Sequence, residues 1–208
     1  MKKLTVLFSI ITMGVSMLSF TSCGRGDANY KPADTTGGAT AIENIMTRVS
    51  VRQYTGQPVS EDTLQIILKA AMAAPSAVNK QPWHFVVVND TAKRDKLGEI
   101  LQGVGDKTKT AGAVVLVCGD KTRFIEDAPE YWVQDCSAAT ENLLLAVNAL
   151  KLGAVWCGVY PVQDRVKQVK EMLGLPENII PLNVVTIGYP TAIENPKDKW
   201  DPAKITTI

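Results

Sequence analysis

Basic side chains stand at two places in this chain where a phosphate could use them. Arg48-Val49-Ser50-Val51-Arg52 sets guanidinium groups on both sides of a hydroxyl, and Arg offers paired donors in a fixed fork that suits an oxyanion. Lys197 and Lys199 repeat the charge near the other end of the chain, with Trp200 behind them. Residues 74–85, APSAVNKQPWHF, carry different chemistry. Pro75, Ser76, Asn79, Gln81 and Pro82 are turn formers and short polar side chains, so this loop can offer backbone N–H groups and amides to a planar, hydrogen-bonding ligand. In residues 154–160, AVWCGVY, Gly158 lets another group approach the backbone closely. Each stretch also has a plainer reading when taken alone: a solvated basic turn, a solvated basic tail, a helix-to-strand connector anchored by Trp83, and a buried strand. The single histidine excludes a multi-His metal site. Neither G-x-G-x-x-G after a strand nor a Walker lysine loop is present, so Rossmann and P-loop readings have no support.

These stretches need elements to hold them. Ile42, Ile45, Met46 and Val49 recur at helical spacing and predict an amphipathic helix over 41–49. Ser60 is a good N-cap, with Glu61 and Asp62 at the positive helix end. Leu64, Ile67, Leu68, Ala71 and Met72 form the buried stripe of the helix that follows. Residues 85–89 read as a short buried strand. Asp90 or Thr91 caps a polar helix to about residue 101, and 102–110, rich in Gly and Lys, reads as a mobile loop. Residues 113–118 form a second core strand, and 121–129 are irregular and suit part of a lid. The long helix over 130–150 is nearly apolar on every side around 143–149, with Gly153 as its expected stop. A domain this small rarely buries such a helix alone, which predicts a subunit interface. Val162, Val166, Val169 and Leu173 mark another helix, stopped by Gly174 and Pro176, before a strand over 183–188.

The chain opens with Lys2 and Lys3, an apolar run over 4–20 and then Thr21-Ser22-Cys23. Basic start, apolar middle and small-residue end describe a secretory signal. A cysteine at its end describes the bacterial lipoprotein arrangement, with Cys23 lipidated. The expected organisation is therefore a signal over 1–23, a flexible Gly-, Asp- and Thr-rich linker over 24–40, and one domain over 41–208. The expected location is the bacterial cell envelope, lipid-anchored and facing the periplasm or the surface. Hydrophobic content of 46% supports a sizeable core, and a net charge of +1 argues against nucleic-acid binding. Cys118, Cys136 and Cys157 lie in apolar contexts at wide spacing and read as buried free thiols.

Taken together, four segments resemble the signatures of the nitroreductase family, FMN-dependent NAD(P)H oxidoreductases, over about residues 41–200. The pattern P-S-x-x-N-x-Q-P-W-x-F is similar to the family's flavin-contacting loop. R-x-S-x-R followed by Tyr54 is similar to its phosphate and ribityl segment, and W-x-G to the strand beside the reactive edge of the isoalloxazine. P-K-x-K-W after Gly188-Tyr189-Pro190 is similar to its C-terminal phosphate clamp. Where family members usually carry Lys and Arg, two lysines keep the charge and lose the fork. The resemblance implies an α+β fold with a mixed, mostly antiparallel sheet flanked by helices, in a homodimer with two FMN sites at the interface. It implies FMN contacts at Arg48, Val49, Ser50, Arg52, Lys197 and Lys199 from one subunit, and at Pro75, Ser76, Ala77 and Asn79 from the other. Trp156, Cys157 and Gly158 complete the set. Hydride would pass from NAD(P)H or another donor to a nitroaromatic, quinone or related acceptor by a ping-pong scheme. No side chain need act as acid or base, because the cofactor carries the chemistry, and no metal is expected. Two further readings stand beside this one: a flavin-binding electron-relay lipoprotein without NAD(P)H turnover, and a ligand-binding lipoprotein that has lost flavin.

Overall fold

The computed structural model describes residues 41–102, 105–192 and 194–208. The expected signal, Cys23 and the linker lie outside the described residues. Four strands, β1 (Trp83–Val87), β2 (Ala113–Asp120), β3 (Gly153–Gly158) and β4 (Ile179–Gly188), form one sheet in the order β1-β2-β4-β3. Every strand pair is antiparallel. Among the described residues the one parallel contact is a bridge between Ser50 and Ala154. Helices α2 (Glu61–Met72) and α5 (Tyr131–Ala149) cover one face of the sheet, and α3 (Thr91–Ile100), α4 (Gly105–Thr110) and α6 (Gln163–Leu173) cover the other. A short α1 (Ala41–Thr47) lies against α5.

Strand alternation sorts the core into two layers. In β2, Val114, Leu116 and Cys118 face the α3–α4–α6 layer, while Ala113, Val115 and Val117 face α2 and α5. In β4 the alternation breaks at Leu182, because Asn183 pairs with Val117 and Pro181 with Cys118. Leu182 is the extra residue of a bulge, which also explains how a proline sits inside a central strand. The expected strand over 183–188 therefore continues back through the bulge to Ile179. The Leu182 carbonyl accepts from both Val159 and Tyr160 N–H at 3.0 Å, so the bulge sets the path of the chain leaving β3.

Local signals were legible where they were strong. Ser60 caps α2 by accepting from the Thr63 N–H, and Asp90 caps α3 through the Lys93 N–H at 2.9 Å. Gly174, at φ 68°, ends α6. Three expectations need correction. The stretch expected as a mobile loop over 102–110 contains α4. Strand β1 begins at Trp83, two residues before the expected 85.

The third concerns the end of α5, where Lys151 rather than Gly153 takes the left-handed position at φ 60°. Lys151 N–H donates to the Asn148 carbonyl and Leu152 N–H to the Val147 carbonyl, both at 3.0 Å, which is the Schellman pattern with a lysine in the glycine's usual place. Gly153 is needed elsewhere. A Cβ there would stand 2.6 Å from Cβ of Val51, which packs directly on the β3 backbone.

Much of α5 is buried within the chain, while Val133, Ala138, Leu145 and Ala146 stay half-buried. Trp132, Cys136, Ala139, Leu143, Leu144 and Val147 are buried by elements of this same chain, the sheet below and α2 above. Apolar side chains are left open on α1, where Ile42 and Met46 are each 71% exposed, and also at Met72, Val78, Val162 and Trp200. Among the described residues no helix is long and apolar enough to cross a membrane.

Candidate functional site

The site is organised by the segment that crosses the β3 edge of the sheet. Val51 N–H donates to the Ala154 carbonyl at 2.9 Å, Thr55 N–H to Tyr189 at 2.9 Å, and Thr191 N–H to Gln53 at 3.2 Å. Val59 N–H then reaches the Gly112 carbonyl. Val51 and Tyr54 point inward and are buried. Tyr54 O–H donates to the Val51 carbonyl at 2.7 Å, and the Thr186 hydroxyl lies 2.9 Å from it. Burial pushes the Tyr54 phenol well above its ordinary range, so it remains a neutral donor. Beside them at the sheet edge Ser50 is half-buried and Arg52 exposed.

A cavity of about 550 Å³ opens there, lined by Arg48, Val49, Ser50 and Arg52 together with Lys197, Lys199 and Trp200. The structure thus brings together residues almost 150 positions apart in sequence. Arg48 is held by an ion pair to Glu141 of α5 at 3.3 Å, and Arg52 donates to the Ser50 carbonyl at 3.1 Å. Glu141, Glu194 and Asp198 also line the cavity, so its four cations are partly balanced.

A second cavity, of about 300 Å³, lies along β3. Trp156, Cys157 and Gly158 line it with Arg52, Gln102, Lys107 and Arg165. Gly158 is exposed, and a Cβ there would meet nothing within 4 Å. Neither packing within this chain nor a left-handed φ demands glycine at this position, so the backbone here is open on its outer side. Cys157 is buried beneath, and burial pushes its thiol up to about 11.

Pro75, Ser76, Ala77 and Asn79 line neither cavity. Their loop is nonetheless tightly specified. Val78, Asn79 and Gln81 all have positive φ, at 42°, 56° and 49°, which is unusual for non-glycine residues and above all for a β-branched one. Gln81 N–H donates to Ser76 Oγ and its amide to Asn79 Oδ1, both at 2.9 Å. Ala77 N–H donates at 2.9 Å to Asp135, a buried carboxylate on α5. Sequence reasoning passed over Asp135, Glu141, Lys107 and Arg165. Asp135 and Glu141 are the acids of α5, but their partners come from distant segments. Among the described residues no cluster could hold a metal.

The sequence profile of the nitroreductase family matches residues 45–120 and 101–189, which include the edge segment, the strained loop and β3. A Methanothermobacter thermautotrophicus protein, provisionally named NADH dehydrogenase/NAD(P)H nitroreductase, is 43% identical over 164 residues, covering 79% of this chain and 84% of that protein. A crystal structure from Bacteroides thetaiotaomicron under the same provisional name superposes with a TM-score of 0.75 at 42% identity, covering 82% of this chain and 98% of the other. An FMN-dependent nitroreductase from Clostridium difficile gives 0.71 at 28% identity, covering 80% and 98%. A family profile matched over most of the chain, and relatives above 40% identity that share its full architecture, mean that this chain belongs to the nitroreductase family.

Proposed function

We propose that the domain is an FMN-dependent oxidoreductase that takes a hydride from NAD(P)H and reduces a nitroaromatic, quinone or related acceptor in a ping-pong scheme. The observation that carries this reading is the convergence of Arg48, Ser50, Arg52, Lys197 and Lys199 on one cavity. Nothing in local structure requires basic residues from both ends of the domain to meet, whereas a dianionic phosphate does. That donor set fits the phosphate of FMN, and Gly158, open on its outer side, fits close approach of a flat ring. When bound, FMN supplies the hydride acceptor and donor that the side chains lack. The protein's own contribution is charge and position. The basic residues hold the phosphate, Trp156 to Gly158 border the ring, and Asp135 fixes the backbone of the loop that carries Ser76 and Asn79.

Because that loop does not reach the clamp cavity of its own chain, we place it against the flavin of a second copy, in a homodimer. We further assign residues 1–23 to a lipoprotein signal with Cys23 as the lipid-bearing residue, which anchors the domain in the cell envelope. That location favours a second reading, an electron relay fed by a donor other than NAD(P)H, because nicotinamide nucleotides are cytoplasmic reductants.

Titration of FMN and riboflavin into apo-protein tests the clamp. A charge-assisted hydrogen bond contributes roughly 1.5–3 kcal/mol, so Arg52→Ala should weaken FMN roughly ten- to a hundredfold. Riboflavin, which lacks the phosphate, should bind weakly and almost equally to both proteins. Equal losses for the two flavins would make Arg52 a fold residue, and no loss would remove the phosphate from this cavity. Stopped-flow bleaching of the flavin by NADH or NADPH then separates enzyme from relay.

A further inference from the structure

The cavity along β3 holds more positive charge than the flavin reading uses. Arg52, Lys107 and Arg165 reach it from three separate elements, the edge segment, α4 and the first turn of α6, and Gln102 adds an amide. No carboxylate stands among the described residues that line it, in contrast to the first cavity. Helix stability does not account for Arg165, since a cation in the first turn faces the positive end of the helix dipole. Its guanidinium donates instead to the Gly158 carbonyl at 3.3 Å, at the bare stretch of β3. Lys107 and Arg52 both draw the buried Cys157 thiol toward ionisation, against the larger effect of burial, so their charges are felt at the floor of the cavity. Like charges gathered in a cleft with low-dielectric walls concentrate the potential and favour an anion. At about 300 Å³ the space admits part of a dinucleotide and not the whole of it.

We propose that Lys107 and Arg165 form an anion subsite for a substrate of the flavin: it receives an oxyanion, either the diphosphate of the nicotinamide donor or the carboxylate of an acidic acceptor, and so places the reacting end of that molecule beside the ring. This rests on the oxidoreductase reading above and extends it to substrate class.

The test uses the FMN-loaded protein and inorganic pyrophosphate as probe, followed by titration calorimetry. Wild type should bind pyrophosphate, and Lys107→Gln/Arg165→Gln should bind it at least roughly tenfold more weakly, with FMN affinity unchanged. Retention of FMN by the double variant verifies that it is folded. Half-reactions then identify the source of the anion. Slower saturation by NADH in flavin reduction assigns the diphosphate. A loss with para-nitrobenzoate but not nitrobenzene in reoxidation assigns the carboxylate. Equal pyrophosphate binding by both proteins, or none by wild type, overturns the subsite, and so does a parallel loss of FMN, which would place both residues at the cofactor. Specific pyrophosphate binding by a wild type that neither NADH nor NADPH bleaches would defeat the NAD(P)H reading and leave the subsite standing.

Discussion

Arg52 lines both cavities, whereas Arg48 and the two lysines line the first alone. Cys157 is the other residue whose environment makes a prediction. Burial raises its thiol from the ordinary 9.0 to about 11, and nearby Lys107 and Arg52 only partly oppose this. The folded protein therefore holds that proton more tightly than the unfolded chain does. The stability tied to this thiol is complete below about pH 9 and is lost as pH rises through about 11. Urea denaturation of wild type and Cys157→Ser across this window should show a steeper alkaline decline in wild type. Thiolate absorbance appearing near pH 8 in the native protein would show that the thiol is not held in this way.

At the scale of elements, the edge segment and β3 are locked by an exchange of small and large residues. Val51 occupies the space a side chain at 153 would need, and the helix before it ends two residues earlier on a left-handed lysine. Gly153→Ala should therefore act on two levels. Forcing a methyl against Val51 costs about 1–3 kcal/mol by overpacking, visible in thermal or urea denaturation. It also lifts Ser50 and Arg52 from the sheet edge, so FMN affinity should fall in the same variant. Lys151→Gly offers the contrast: it relieves a left-handed non-glycine residue and should stabilise the fold by up to about 1 kcal/mol without moving the site. A destabilised Lys151→Gly or an unaffected Gly153→Ala would contradict this account of the α5–β3 turn.

At the scale of the molecule, α5 is the axis on which the parts are hung. Asp135 near its start holds the strained loop, Glu141 holds Arg48, and Asn148 near its end pairs with Asn44 of α1 at 2.9 Å. Since the chain buries most of α5 itself, the case for a dimer moves to the open surface. Ile42, Ile45 and Met46 on α1 are exposed together, and Ile45 and Met46 border the phosphate cavity. An apolar patch of that kind marks an association surface. Light scattering on the domain without residues 1–40 should give twice the monomer mass at micromolar concentration. Replacing Ile42 and Met46 with Glu should dissociate the dimer and release flavin, and a flavin-bound monomer would exclude a shared site. For the anchor, Cys23→Ala should shift the exported protein out of the membrane fraction, and unchanged membrane retention and processing would show that Cys23 carries no lipid.

By itself the sequence determined the positions of the helices with strong caps and clear periodicity, the family signatures and the basic residues that line the first cavity. These are local properties: Ser60 and Asp90 cap because a side-chain oxygen reaches an N–H three residues on, and Arg48, Ser50 and Arg52 are neighbours in the chain. Only the tertiary structure decided which of the local options each segment took. Glycine is required at 153 because Val51 packs there, and β4 runs through Pro181 because a bulge absorbs Leu182. Asp135 became a loop anchor, and Lys107 and Arg165 met Arg52, through contacts between residues far apart in the chain. Periodicity and spacing record what a residue can do with its near neighbours. They hold no record of which distant residue folding will bring beside it.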